Sequence, residues 1–363
     1  MDAKRINEDL PELYQRIFPE FFGKAIPQET LATCNECAMC ARPDQPRIPG
    51  QEYFQPDVKC CAFHPKLPNY LVGGLLQDTN PAMDEGRRIV REKIRNRIGV
   101  TPSSLLPPKK YAVIHKYAGE RGFGKNYSLL CPYFLRDSGL CAIWKFREAV
   151  CSTYFCKSVA GQEGKKFWNV LRGYLIQAQD SLTWYALLKL DWDVETIWDH
   201  LTNYSSDSLE HRDVDDLPPA EDVYQKIWGS WMGREEEFYK KTYQIVSSMS
   251  REEYDRISGM NQKVFLEWLK KRHQEVIAPA IPSLLRPNPD LKAFPAADGT
   301  YVIKTEAGFF TIQPALYEVL GMFDGRKSLD EIRAMVLDKW DAPLEEELLI
   351  SMFQNRMLLP AVS

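Results

Sequence analysis

Apolar positions recur at helical spacing along much of the chain. Phe167, Val170, Leu171, Tyr174, Ala178, Leu182, Tyr185 and Leu188 fall on one stripe and predict a long helix from Gly164 to about Leu190. Residues 81–98 predict a second, with Ile89, Val90, Ile94 and Ile98 on one side and arginines on the other. Further helical stretches are expected near 193–203, 221–246 and 251–277. Ser250 and Glu253 form a capping box at the start of the last. Residues 1–32 read as a lead-in with an amphipathic segment at Leu10, Leu13 and Ile17. After Pro107 and Pro108, Tyr111 to Tyr117 reads as a short strand, and 119–125 as a turn. Residues 33–68 show no period and are rich in Cys, Pro and Gly, so they read as loop held by something other than a packed face.

The pattern changes after residue 280. Prolines at 279, 282, 287, 289 and 295 mark 281–297 as a Pro-rich linker between a domain at 1–280 and a module at 298–363. Within the module, residues 301–312 predict a hairpin turning at Glu306–Gly308. Pro314 to Phe323 predicts a helix, Ser328 with Glu331 caps another, Pro343 opens a third, and 357–360 can close with a short strand. A hairpin with three short helices has a winged-helix-like grammar. The fold class expected is mostly α (α+β): a Cys-rich domain with long helices, then this small module.

The net charge of −4 gives no basic excess to attract nucleic acid. From Asp290 to Ser363 there are seven Lys and Arg against twelve Asp and Glu, a balance of 7 − 12 = −5 that would repel phosphates. No stretch approaches the roughly 18 apolar residues that span a bilayer. The start carries no apolar signal segment, so no membrane and a cytoplasmic location are expected. Glu210, His211, Asp213, Asp215 and Asp216 read as an acidic solvated connection, and Gly119 to Lys125 lacks the spacing of a phosphate loop.

That location changes the meaning of the nine cysteines, because disulfides are disfavoured in a reducing compartment. All nine lie between 34 and 156, and the remaining 207 residues (363 − 156) hold none. Cys34, Cys37 and Cys40 form two overlapping CxxC units, whose turns bring thiolates to one side of a loop. Cys60 and Cys61 are adjacent; in extended chain they would point opposite ways, serving two centres or a bridged one. Cys131, Cys141, Cys151 and Cys156 complete the set. Soft sulfur in this number points to an iron–sulfur cluster, which is favoured, or to zinc or iron ions. Arg147 would offset the negative charge of such a centre, and His64 reads as a loop residue that can offer a nitrogen.

The cysteine pattern resembles the YkgJ family of zinc- or iron-chelating cysteine-cluster proteins. Cys34, Cys37 and Cys40 match its opening; Cys131-Pro-Tyr-Phe-Leu, Gly139-Leu-Cys141 and Arg147-Glu-Ala-Val-Cys151 match its later part. The chain departs from it by the nineteen residues between Cys40 and Cys60, and by Glu148 where an Arg-Pro pair is usual. The resemblance implies metal or iron–sulfur binding. Residues 298–360 resemble the PqqD-like peptide-recognition domain through the apolar hairpin, Phe323-Asp324-Gly325 and the helix that starts at Ser328. That resemblance implies a peptide or protein partner held by strand addition. The function expected is a metal or iron–sulfur protein in peptide or protein modification. Alternatives are a non-enzymatic protein that stores, delivers or senses zinc or iron, and a protein lysine methylase. Flagellin lysine methylase has a similar cysteine cluster, but no glycine motif for S-adenosylmethionine is present here.

Overall fold

The computed structural model describes residues 3–42, 47–48, 50–193, 195 and 209–361. Helix dominates and the strands form sheets of two or three, so the chain is mixed α+β and mostly α.

The first residues are core rather than lead-in. Strands β1 (Ala3–Arg5) and β2 (Ala25–Pro27) pair antiparallel, and the chain between them carries helix α1 (Tyr14–Ile17). Leu10, Tyr14, Ile17, Phe18 and Phe22 are all buried. Tyr14 stacks on Phe18 at 4.5 Å and shares a hydrogen bond of 2.6 Å with the Tyr70 hydroxyl. Strand β3 (Leu67–Pro68) leads into helix α2 (Asn69–Gln77), in which every residue but Gln77 is buried. Helix α3 (Asp84–Asn96) follows, with Asp84 and Glu85 in its first turn and Lys93 and Arg95 in its last, as the helix dipole favours.

Strand β4 (Ser104–Leu105) pairs with β3. The strand expected at Tyr111–Tyr117 is instead part of helix α4 (Lys109–Gly122). Pro108 precedes its first turn, and Tyr111 and Ile114 face inward at helical spacing while Tyr117 is 80% exposed. Tyr111 and His115, one helical turn apart, stack on each other at 5.7 Å.

A hairpin of β5 (Phe134–Leu135) and β6 (Leu140–Cys141) precedes helix α5 (Ala149–Thr153) and the long helix α6 (Gly161–Lys189). Phe167, Leu171, Tyr174, Ala178 and Leu182 of the expected stripe are buried, whereas Leu188 at its end is exposed. The helix expected at 193–203 falls almost wholly outside the described residues. Helix α7 (His211–Val214) lies in the exposed acidic connection. The stretch 221–246 is two helices, α8 (Glu221–Trp228) and α9 (Glu235–Ser248), parted at Gly229 and Gly233, both with positive φ. Helices α10 (Arg251–Ile257) and α11 (Met260–Ile277) follow, and the Ser250–Glu253 capping box is formed. Helix α9 crosses α2 at its glycines. A Cβ on Gly73 would lie 1.8 Å from the Tyr239 carbonyl oxygen, so only glycine permits that approach.

A separate core begins at Leu285. Residues 281–297, read as a linker, supply strands β7 (Leu285–Pro287) and β8 (Lys292–Pro295) to it. Strand β8 joins β9 (Tyr301–Thr305) and β10 (Gly308–Ile312) in the order β10-β9-β8, with the hairpin turn where the sequence puts it. Helices α12 (Pro314–Met322), α13 (Leu329–Trp340) and α14 (Glu346–Gln354) come next. The Ser328–Glu331 capping box is formed, and β11 (Leu358–Pro360) closes back on β7. This unit meets the start of α6 and the end of α11: Arg356 pairs with Glu163 at 3.0 Å, and the Gln354 amide donates to the Val276 carbonyl at 3.2 Å.

Candidate metal centre

Backbone hydrogen bonds draw the three cysteine segments together. The Cys40 N–H donates to the Cys37 carbonyl at 3.0 Å, closing the second CxxC turn, and Phe54 N–H donates to the Met39 carbonyl at 2.6 Å. Cys131 N–H donates to the Cys61 carbonyl at 2.7 Å, joining the second segment to the third. Lys59 ties all three: its Nζ donates to the Cys34 carbonyl at 2.7 Å and the Gly139 carbonyl at 3.2 Å. Lys59 itself has φ of +50°, so the chain turns before Cys60 instead of running extended. Cys61 then lies close enough to Cys60 to raise its thiol.

The third segment is shaped by the β5–β6 hairpin, which sets Cys141 opposite Phe134, and by the cap of α5. The buried Glu148 carboxylate accepts from Val150 N–H at 2.7 Å and Cys151 N–H at 2.8 Å. Burial still holds that carboxyl above its ordinary range. Arg147 spends its guanidinium on backbone carbonyls, donating to Trp144, Cys151 and Asp9 at 3.1–3.2 Å, and it stacks over the Trp144 ring. It still acts electrostatically on Cys34 and Cys141, lowering both. Its place is at the edge of the thiol group, as a charge and a fastener.

All nine thiols are free. Burial raises Cys34, Cys131, Cys141 and Cys151, and pushes Cys40 and Cys156 up to about 12, with Cys37 adding to both. Cys60 is raised first by Cys61 and then by burial. These thiols are neutral near pH 7, and metal loading has to expel their protons. Free, reduced, clustered sulfur is the donor chemistry of zinc and iron–sulfur sites. Among the described residues no three His, Cys, Asp or Glu side chains stand together as a group that could hold a metal ion.

Four neighbours carried no motif in the sequence. Tyr111 and Tyr133 pack against the ring of His64, and Cys131 adds to the burial that raises both hydroxyls. Lys93 has a partly exposed stem but an enclosed amine, which donates to the Leu106 carbonyl at 2.5 Å and lies 3.3 Å from His64 Nε2. Burial lowers that amine to about 7, with Cys131 opposing the shift. Glu148 is the fourth. His64 is a buried residue, held well below its ordinary range by burial and by Lys93. An arginine-walled groove of about 440 Å³ runs along α3 and α9, lined by Arg87, Arg88, Arg91, Arg95 and Glu236; no cysteine lines it.

No family model matches the chain. No curated protein and no solved structure matches it either.

Proposed function

We propose that this chain binds a metal or an iron–sulfur cluster through its cysteines and acts in peptide or protein modification. One observation carries the reading: nine free thiols lie on three segments, up to about 120 residues apart, that hydrogen bonds from Cys131 to Cys61 and from Lys59 to Cys34 and Gly139 tie together, in a chain that has no other cysteine. Nine thiols folded inward merely as small apolar side chains would not need to meet. The unit at 285–360 resembles a winged-helix peptide-recognition module, and its part is to hold the peptide. Support comes from the β10-β9-β8 sheet, whose two outer strands have no further strand partner among the described residues. An open edge offers backbone donors and acceptors to an added strand.

A second reading is a metal-handling protein without catalysis. It is favoured by the partial burial of every cysteine but Cys131, which leaves them accessible to an exchanging ion. Anaerobic purification, a visible spectrum, and iron, zinc and acid-labile sulfide per chain decide between these. Iron with sulfide and a brown colour supports the cluster reading. Stoichiometric zinc in colourless protein supports the metal-handling one. Reduced protein that takes up neither metal refutes both.

A further inference from the structure

Helix α3 carries different chemistry on its two sides. On the inner side Val90 is buried, the Lys93 amine reaches the ring of His64, and Gly86 rests on the chain beside Cys141. A Cβ on Gly86 would lie 2.3 Å from the Ala142 carbonyl oxygen. On the outer side Arg88, Arg91 and Arg95 stand three and four residues apart, which sets them in one row. With Arg87 they wall the groove of about 440 Å³ shared with α9, where Asp84 and Glu236 are the only acids. Arg87 is fixed, donating to Asp84 and to the Asp78 carbonyl. Arg91 reaches Glu236 across the groove at 3.2 Å, and Glu236 also pairs with Lys240 at 2.7 Å. Arg88 turns to Glu85 at 2.7 Å and to Glu92 at 2.8 Å, both on its own helix. Arg95 is exposed and has no ion pair among the described residues. Exposed pairs such as those of Arg88 and Arg91 contribute about 0–1 kcal/mol each, so an incoming carboxylate displaces them at little cost.

We infer that this groove binds an acidic segment of a peptide or protein, whose carboxylates pair with Arg95, Arg91 and Arg88. This rests on the reading above that the chain acts on a peptide or protein, and it names the chemistry of that partner. Four guanidiniums against two carboxylates give the groove a positive balance. Arginine forks pair with carboxylates through two parallel hydrogen bonds. The spacing also suits a peptide. Arg91 and Arg95 are about 6 Å apart along the helix, and alternate side chains of an extended chain recur about every 7 Å on one face. The walls are mixed, which selects against a polyphosphate. Asp84 and Glu236 repel a run of phosphates but accept from backbone N–H groups, and Ile94 offers an apolar contact. A helix is about 10 Å across, so a segment held here lies one helix away from His64 and the cysteine segments.

The test is fluorescence anisotropy of a labelled peptide of alternating Glu and Ala, titrated with the full-length protein, beside a Gln–Ala peptide as the uncharged control. Native protein is expected to bind the Glu peptide, less tightly as salt is raised, and not the Gln peptide. Arg95→Glu and Arg91→Ala should each weaken binding about tenfold or more, the loss expected for a charged hydrogen bond. Lys263→Glu makes the same charge change on α11, outside the groove, and should leave binding unchanged. Each variant should keep the native circular dichroism and metal per chain. No binding of the Glu peptide, no weakening by either arginine variant, or equal weakening by Lys263→Glu overturns the inference. So does displacement of the peptide by tripolyphosphate at lower concentration than by unlabelled peptide. These results leave metal binding untouched. Glu peptide held in the groove by protein that takes up no metal would instead remove the metal reading and keep the groove.

Discussion

Replacing Lys93 with Met should stabilise the metal-free protein. The amine is enclosed and lowered from 10.5 to about 7, chiefly by burial. Between those two values the unfolded chain binds more protons than the folded one, so native stability rises with pH across that window and is reduced below it. At about 1.4 kcal/mol per unit, keeping this amine folded at pH 7 costs at most about 4–5 kcal/mol. Met fills similar space without that cost, but it leaves the Leu106 carbonyl, now bonded to Lys93 at 2.5 Å, without its donor. An unsatisfied buried acceptor costs about 1–3 kcal/mol, so the net gain is at most about 1–4 kcal/mol. Urea unfolding of native and Lys93→Met protein, metal-free and reduced, from pH 7 to 9.5 measures this. Native stability should climb with pH and the variant's should climb less. The reasoning is refuted if the variant is less stable than native at pH 7 by 1 kcal/mol or more. In that case the ammonium is charged and paired in the fold.

Three other perturbations have expected outcomes. Gly73→Ala places a methyl 1.8 Å from the Tyr239 carbonyl oxygen and should force α2 and α9 apart; chemical denaturation should show a loss of about 1–3 kcal/mol or more. Gly161 has φ of +52° and a Cβ there would lie 2.3 Å from the Gln354 carbonyl, so Gly161→Ala should lose about 1–3 kcal/mol. Limited proteolysis should then find the 285–360 unit cut sooner than in native protein. Cys37→Ala and Cys141→Ala should each lower metal per chain and the melting temperature of loaded protein, because ligation and folding are coupled. Full metal content in both would show that the ligands are misassigned.

Local signals carried much of the fold. The stripe of α6 and the capping boxes at Ser250 and Ser328 are short-range features, set by residues three or four apart, and they formed where the sequence puts them. Helix α2 was missed because it is apolar on every side and so has no period; its two glycines find their reason only where α9 crosses them. Prolines 287 and 295 read as linker, yet each ends a short strand, a position where a missing N–H is tolerated. At the candidate site, the cysteines were visible in the sequence because of their type and clustering. Their grouping was not, because it depends on contacts such as Cys61 with Cys131 that span seventy residues. Lys93 lies in a helix rich in arginines and reads as one more solvated cation; only packing against His64 and Leu106 encloses it. Glu148 and Tyr133 carry no motif at all, and burial alone gives them a role.

Metal binding by the clustered thiols is tested most directly by X-ray absorption at the metal edge of anaerobically purified protein. The expected result is a first shell of sulfur at about 2.3 Å, three or four atoms per metal, with a metal–metal shell as well if the centre is an iron–sulfur cluster. A first shell made of nitrogen and oxygen, in protein whose nine thiols remain open to alkylation, would contradict it.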